Sequence, residues 1–334
     1  MVSMGLNERE AQEMVVEARK AVMSPEELKG HLRGALAFPI TPFKADGTVD
    51  LDGVRANARW LPESGVCAIV APSGTGELFA LSPDECAAVA RATVEAVAGR
   101  VPVIASVGFG PAVAADLARR AEEAGADGIL VLPPYYGNPD PQGLVDYYKA
   151  VGEATSLGIM PYARDSAYFT PTITEALIRA VPNLIAFKDG RGDVRLFRSI
   201  REHCIEKLGE DRVVWLAGVG DDLVAPYFAS GAVGFTSSLA CFWPEASVEL
   251  YQLAAAGDLA GLAEMHARAV RPFYALRERG KGFEVSVMKA AMEMLGHPAG
   301  PPRAPLGRLS ERDLTDLRAV IDGLGIPTAA DRVG

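Results

Sequence analysis

Leu184-Ile185-Ala186-Phe187-Lys188-Asp189-Gly190 is an apolar run that ends in one lysine and a glycine. It reads as a short buried strand, a tight turn, and then a helix over 193–206. Its residues do not alternate apolar and polar, as expected of a parallel strand covered on both faces. The same unit recurs along the chain. Strands are expected at 34–41, 68–73, 101–108, 128–134, 158–163, 184–189, 213–218 and 234–239. Helical patterns separate them, including 111–124, 141–154, 171–180, 221–229 and 244–256. Ser82-Pro83-Asp84-Glu85 opens another with a cap, a proline in the first turn and two acids. Ala124-Gly125-Ala126-Asp127-Gly128 and Ser230-Gly231-Ala232-Val233-Gly234 close helices with a glycine just before a strand.

Eight such units fit a (β/α)8 TIM barrel over 34–257. A doubly wound sheet is the alternative, but GxGxxG after the first strand is missing. Residues 1–33 read as an N-terminal helical segment in which Ser24-Pro25-Glu26-Glu27 opens a helix. Residues 258–324 hold no strand pattern and read as a C-terminal helical extension packed on the barrel, with helices at 259–278, 283–295 and 311–322. Residues 325–334 are expected to be a loose tail.

The net charge of -10 leaves no basic surface for nucleic acid or an anionic membrane. No apolar run approaches the roughly 20 residues of a membrane span, so the expected location is cytoplasmic. Cys67, Cys86, Cys204 and Cys241 have no CxxC spacing, and His31, His203, His266 and His297 show no metal-ligand spacing. A metal site is not expected from this spacing.

A barrel of this kind places its chemistry at the C-terminal ends of the strands. Lys188 sits at one such end. Burial disfavours its charged form, and a free amine can attack a ketone to form an imine. The plainer reading is a structural pair with Asp189. Other strand ends supply Ser73-Gly74-Thr75-Gly76-Glu77, a turn whose amides suit a carboxylate. Tyr135 and Tyr136 follow the fourth strand, and Tyr162 and Arg164 end the fifth. Gly218-Val219-Gly220-Asp221 follows the seventh, and Ser237 and Ser238 end the eighth. A nucleophile, a proton carrier and an anion clamp are the minimum for imine chemistry on a 2-keto acid.

The order Phe38-Pro39-Ile40-Thr41-Pro42-Phe43, Ser73–Glu77, Tyr162 and Phe187-Lys188-Asp189 resembles the dihydrodipicolinate synthase/N-acetylneuraminate lyase family. The likeness runs from about residue 24 to 322. It implies a barrel enzyme with a C-terminal helical extension, commonly a homotetramer (a dimer being the alternative), that needs no cofactor beyond a covalent lysine imine. Lys188 would be the imine lysine and Tyr162 the proton-handling phenol. Gly74 and Thr75 would bind the keto acid's carboxylate. From their places at the strand ends, Ser73, Tyr136, Gly218, Ser237 and Ser238 are expected as further substrate contacts, and Arg164 is expected either to meet a far carboxylate or to pair with Asp165.

Four stretches resemble the family's 5-dehydro-4-deoxyglucarate dehydratase branch: residues 24–29, Gly74–Phe79, Tyr162–Ala167, and Arg279–Gly282 with Pro298–Pro301. That branch dehydrates and decarboxylates 5-dehydro-4-deoxy-D-glucarate to 2,5-dioxopentanoate. Gly74 stands where the synthases carry a threonine, and Ala167 where they carry a carboxylate-binding arginine. Ala163 and Ser166 replace amides of the dehydratase branch, and Ser73 replaces its glycine. A pyruvate-dependent synthase or aldolase and a silent keto-acid binder are the competing expectations.

Overall fold

A computed structural model describes residues 22–134, 137, 139–164 and 167–332. Its eight strands form one closed barrel in chain order, every neighbouring pair parallel. They are β1 (Ala35–Ala37), β2 (Ala68–Val70), β3 (Val103–Val107), β4 (Gly128–Val131), β5 (Gly158–Ala163), β6 (Ala186–Asp189), β7 (Val214–Ala217) and β8 (Gly234–Ser237). Most are shorter than the apolar runs that signal them. The residues left over at the C-terminal ends become the loops around the mouth.

Side-chain parity sorts each strand into two environments. Leu36, Ala68, Ile104, Leu130, Met160, Ala186 and Leu216 fill the lumen. The alternate residues pack against the surrounding helices. On β6 this parity sends Phe187 outward. Its ring lies between Phe169 and Trp215, at centroid distances of 5.3 and 5.6 Å. Full burial of such a side chain stabilises the fold by about 1.5–3 kcal/mol. Lys188, one residue on, must then face inward.

The N-terminal helix α1 (Pro25–His31) begins with a capping box between Ser24 and Glu27 and sends Leu28 into the lumen cluster, closing the lower end. Residues 1–21 of the expected helical segment lie outside the described residues. The outer helices are α2 (Leu51–Arg59), α3 (Pro83–Val97), α4 (Pro111–Glu123), α5 (Pro141–Gly152), α6 (Pro171–Ala180), α7 (Val194–Leu208), α8 (Val224–Ala229) and α9 (Pro244–Ala256).

The extension comprises α10 (Leu259–Met265), α11 (Arg271–Arg277), α12 (Phe283–Met294) and α13 (Glu311–Leu324). The helix expected over 259–278 is thus divided by a π turn at His266–Val270. Pro272 has no N–H to give and its ring crowds the preceding turn. The chain widens just before it, and the Arg271 N–H reaches the His266 carbonyl.

The expected loose tail is instead tied down through residue 332. The Ala329 N–H donates to the Leu295 carbonyl at 2.7 Å. Arg332 donates to the Phe242 carbonyl at 3.1 Å, pairs with Glu245 and lies 4.4 Å over the Trp60 ring. Terminal residues become ordered when their backbone and side chains find such partners.

Candidate active site

A cavity of about 570 Å³ opens at the C-terminal face of the barrel. Lys188 projects into it from β6 and is 4% exposed. Its Nζ lies 3.6 Å from the ring centroid of Tyr162 and 4.4 Å from that of Phe38. Among the described residues no carboxylate lies within 4.0 Å of it. Burial, and secondly the nearby charge of Arg164, holds the amine well below the usual lysine range.

The structural pair with Asp189 is not formed, and strand parity is the reason. Asp189 faces away from the lumen, where its carboxylate accepts the Tyr227 hydroxyl at 2.6 Å and the Arg191 N–H at 3.0 Å.

Tyr162 pairs with Lys188 in the β5–β6 register. Equal height on neighbouring strands is what sets the phenol ring beside the amine. The phenol oxygen donates to the Gly218 carbonyl at 3.1 Å and accepts from Arg164 at 3.0 Å. Two glycines make this approach possible. A Cβ at Gly218 would lie 2.5 Å from Lys188 Cγ, and one at Gly190 would lie 2.3 Å from Tyr162 Cε2. Gly218 therefore enters the site through its carbonyl and its lack of a side chain.

The loop after β2 lines the opposite side with Ser73, Gly74 and Thr75. Among the described residues, no acceptor is found for the N–H groups of Gly74 or Thr75, so the turn offers donors suited to an anion. A Cβ at Gly74 would meet nothing within 4 Å. Space does not forbid a hydroxyl there; this sequence simply lacks one.

That loop is braced from below. The Thr41 hydroxyl donates to the Gly76 carbonyl at 2.7 Å. Glu77, buried and left-handed at φ 57°, pairs with Lys289 of α12 at 2.6 Å and accepts the Arg303 N–H at 2.8 Å. Glu77 therefore serves the turn's shape and not the cavity.

The two serines expected as substrate contacts both line the cavity, and their hydroxyls are already hydrogen-bonded within the protein. Ser237 has the outward parity of β8 and is fully buried. Its hydroxyl donates to Asp221 and lies 2.7 Å from the Ser247 hydroxyl. Ser238 accepts from Arg277 at 2.9 Å. The β8 hydroxyl with lumen parity is Thr236, one position earlier, and it lines the cavity. Period-two counting from the mouth would have found it. Tyr136, with its neighbour Tyr135, lies outside the described residues.

Five described residues of the extension also line the cavity without having been expected there: Tyr274, Arg277, Glu278, Glu284 and Val285. Tyr274 donates to Asp221 at 3.1 Å, and its oxygen accepts the Asp221 N–H at 2.7 Å. Asp221 is fully enclosed, and burial pushes its carboxyl above the usual value against the pull of Ser237. No strand-end rule points to a residue on an appended helix.

As a chemical device, the cavity holds an amine whose free form burial favours, a phenol and a carboxylate-sized turn of amides. That set can condense with a ketone, move a proton beside it and hold the adjoining carboxylate. The chain is also similar to known proteins. The sequence profile of the Dihydrodipicolinate synthetase family matches residues 31–324. A protein of Bradyrhizobium sp. (strain BTAi1 / ATCC BAA-1182) named "Probable 5-dehydro-4-deoxyglucarate dehydratase" is 37% identical over 311 residues, covering 92% of this chain and 97% of that one. A protein of Saccharopolyspora erythraea with the same name is 38% identical over 293 residues, covering 87% of this chain and 93% of that one. The crystal structure of dihydrodipicolinate synthase from Bacillus clausii superposes with a TM-score of 0.83 at 28% identity, over 90% of this chain and all of that one. Among the described residues, no helix is long and apolar enough to cross a membrane.

Proposed function

This chain belongs to the dihydrodipicolinate synthetase family, and from that premise we propose that it is a Schiff-base lyase acting on a 2-keto sugar acid. The observation that carries the reading is Lys188, buried beneath two aromatic rings with no carboxylate partner among the described residues. Its amine attacks the ketone, water leaves, and a protonated imine results. The imine draws electrons from adjacent carbon and so stabilises a carbanion there. This chemistry needs no metal or organic cofactor.

Tyr162 moves the protons. Arg164 donates to its oxygen, and a cationic donor stabilises negative charge that develops on that oxygen when the proton leaves. Gly74 and Thr75 hold the carboxylate next to the ketone.

The substrate we propose is 5-dehydro-4-deoxy-D-glucarate, which loses water and carbon dioxide to give 2,5-dioxopentanoate. The names of relatives at 37–38% identity support it. Ala167 supports it too, since that fully buried residue offers no cation where the synthases are expected to hold a second carboxylate. The competing reading, a pyruvate-dependent synthase, has the names of the solved structures in its favour, at 28% identity. We place the enzyme in the cytoplasm as a homo-oligomer, a tetramer or a dimer.

Incubation with the deoxy-keto sugar diacid, following carbon dioxide release, tests the substrate. Borohydride reduction followed by mass spectrometry of the Lys188 peptide tests the imine. Trapping with pyruvate but no carbon dioxide from the diacid would move the assignment to the synthase. Trapping of both acids without turnover of either would leave a binding protein.

A further inference from the structure

We propose that Arg277 reads the far carboxylate of a dicarboxylic 2-keto acid, so that the C-terminal extension and not the barrel selects the substrate's chain end. The inference rests on the imine reading above and deepens it.

A chain with net charge -10 needs local cations or backbone donors for the carboxylates it binds, and the amides at Gly74 and Thr75 are already assigned to the carboxylate beside the ketone. Among the described residues three cationic side chains reach the cavity: Lys188, Arg164 and Arg277. Lys188 is the amine that bonds to the ketone. Arg164 donates to the phenol beside that amine and acts at the reacting end. Arg277 enters from α11, above β8. Its guanidinium carries five N–H donors, of which one goes to Ser238. No carboxylate among the described residues lies within 4.0 Å of it.

The side chain is also held in place before any ligand arrives. Its guanidinium lies 4.3 Å over the ring of Tyr274, whose hydroxyl is fixed on Asp221. Four donors from Ser237, Tyr274 and two backbone amides surround the Asp221 carboxylate. That acid thereby anchors the platform under Arg277 without closing an ion pair with it. Glu278 and Glu284 line the same rim. They disfavour a second carboxylate everywhere except against a cation, which sharpens the choice. A fixed planar fork binds a carboxylate with two parallel hydrogen bonds at little further ordering cost.

The test compares two keto acids of equal chain length, 2-oxoadipate with a far carboxylate and 2-oxohexanoate without one. Apparent affinities for imine formation are read by borohydride trapping in the wild type, Arg277→Gln and Arg277→Lys. The wild type should prefer the diacid by roughly 10- to 100-fold, the usual worth of a charge-assisted pair. Arg277→Gln should bring that ratio close to one, and Arg277→Lys should restore part of it. Circular dichroism confirms that each variant is folded. A wild type without preference, or a preference that survives in Arg277→Gln, overturns the assignment to Arg277 while leaving the imine reading intact. Absence of any adduct with either acid or with pyruvate overturns the imine reading and this inference with it.

Discussion

Among the described residues two lysines are buried, and they are used in opposite ways. Lys289 is 2% exposed and Lys188 is 4% exposed. Both lie near aromatic rings, Lys289 at 4.0 Å from Phe43 and Lys188 at 3.6 Å from Tyr162. The difference is the counter-ion. Lys289 meets Glu77 at 2.6 Å and donates to the Pro301 carbonyl at 3.2 Å. Lys188 meets a phenol ring and an open cavity. Burial pulls both amines below their usual value, and in Lys289 the Glu77 charge opposes that pull. Burial alone does not make a nucleophile. A buried lysine becomes one when the fold withholds its carboxylate and leaves a space for a carbonyl.

The sharpest way to break the contrast is to remove each amine in turn. Lys188→Ala should abolish borohydride trapping with every keto acid, whereas Lys289→Met should still form an adduct whenever it is folded. Adduct formation of normal yield in Lys188→Ala would place the nucleophile elsewhere. Next in size is the phenol. Tyr162→Phe should lower kcat by roughly 10²–10⁴, the usual contribution of acid–base help, with the imine still detectable by trapping. An unchanged kcat would take this residue out of the proton path.

Stability should separate the lysines in the other direction. Lys289→Met leaves Glu77 charged and buried, a loss of about 3–5 kcal/mol, measurable by urea unfolding. Pairing it with Glu77→Gln should recover much of the loss, because the glutamine oxygen still accepts from Arg303 and no charge is stranded. A double variant no more stable than Lys289→Met alone would deny the pair its structural role.

The smallest effect concerns pH. Lys188 binds its proton less readily when folded than when unfolded, where it titrates near 10.5. Between those two values the unfolded chain holds more protons, so this residue makes stability rise with pH. Lys188→Met removes that slope. The variant should gain most over the wild type near neutrality, and the gain should shrink as pH approaches 10.5. A constant difference across that range would mean that Lys188 is charged in the folded protein.

The same contrast shows what the sequence made legible. The barrel was readable because buried parallel strands announce themselves as apolar runs with capped helices between them. Lys188 and Tyr162 were readable because the strand-end rule places both at the mouth, and their shared register brings them together. Ser237 does line the cavity, but its hydroxyl is bound to Asp221 and Ser247, a commitment that the strand-end rule does not show. Tyr274 and Arg277 escaped notice because the docking angle of an appended helix follows from packing surfaces, not from a period in the chain. Glu77 looked like part of an anion-binding turn. Its true partners come from Lys289 and Arg303, far along the chain.

That last arrangement bears on how the protein is made. The turn of residues 73–77 emerges early in synthesis, yet its brace at Arg303 lies 226 positions later. A ribosome-bound chain can close all eight strands and still lack the groups that fix the shape of its own anion-binding turn. A nascent chain released before residue 303 would therefore be a barrel with an unset catalytic mouth, and competence would arrive only once Arg303 has emerged and docked.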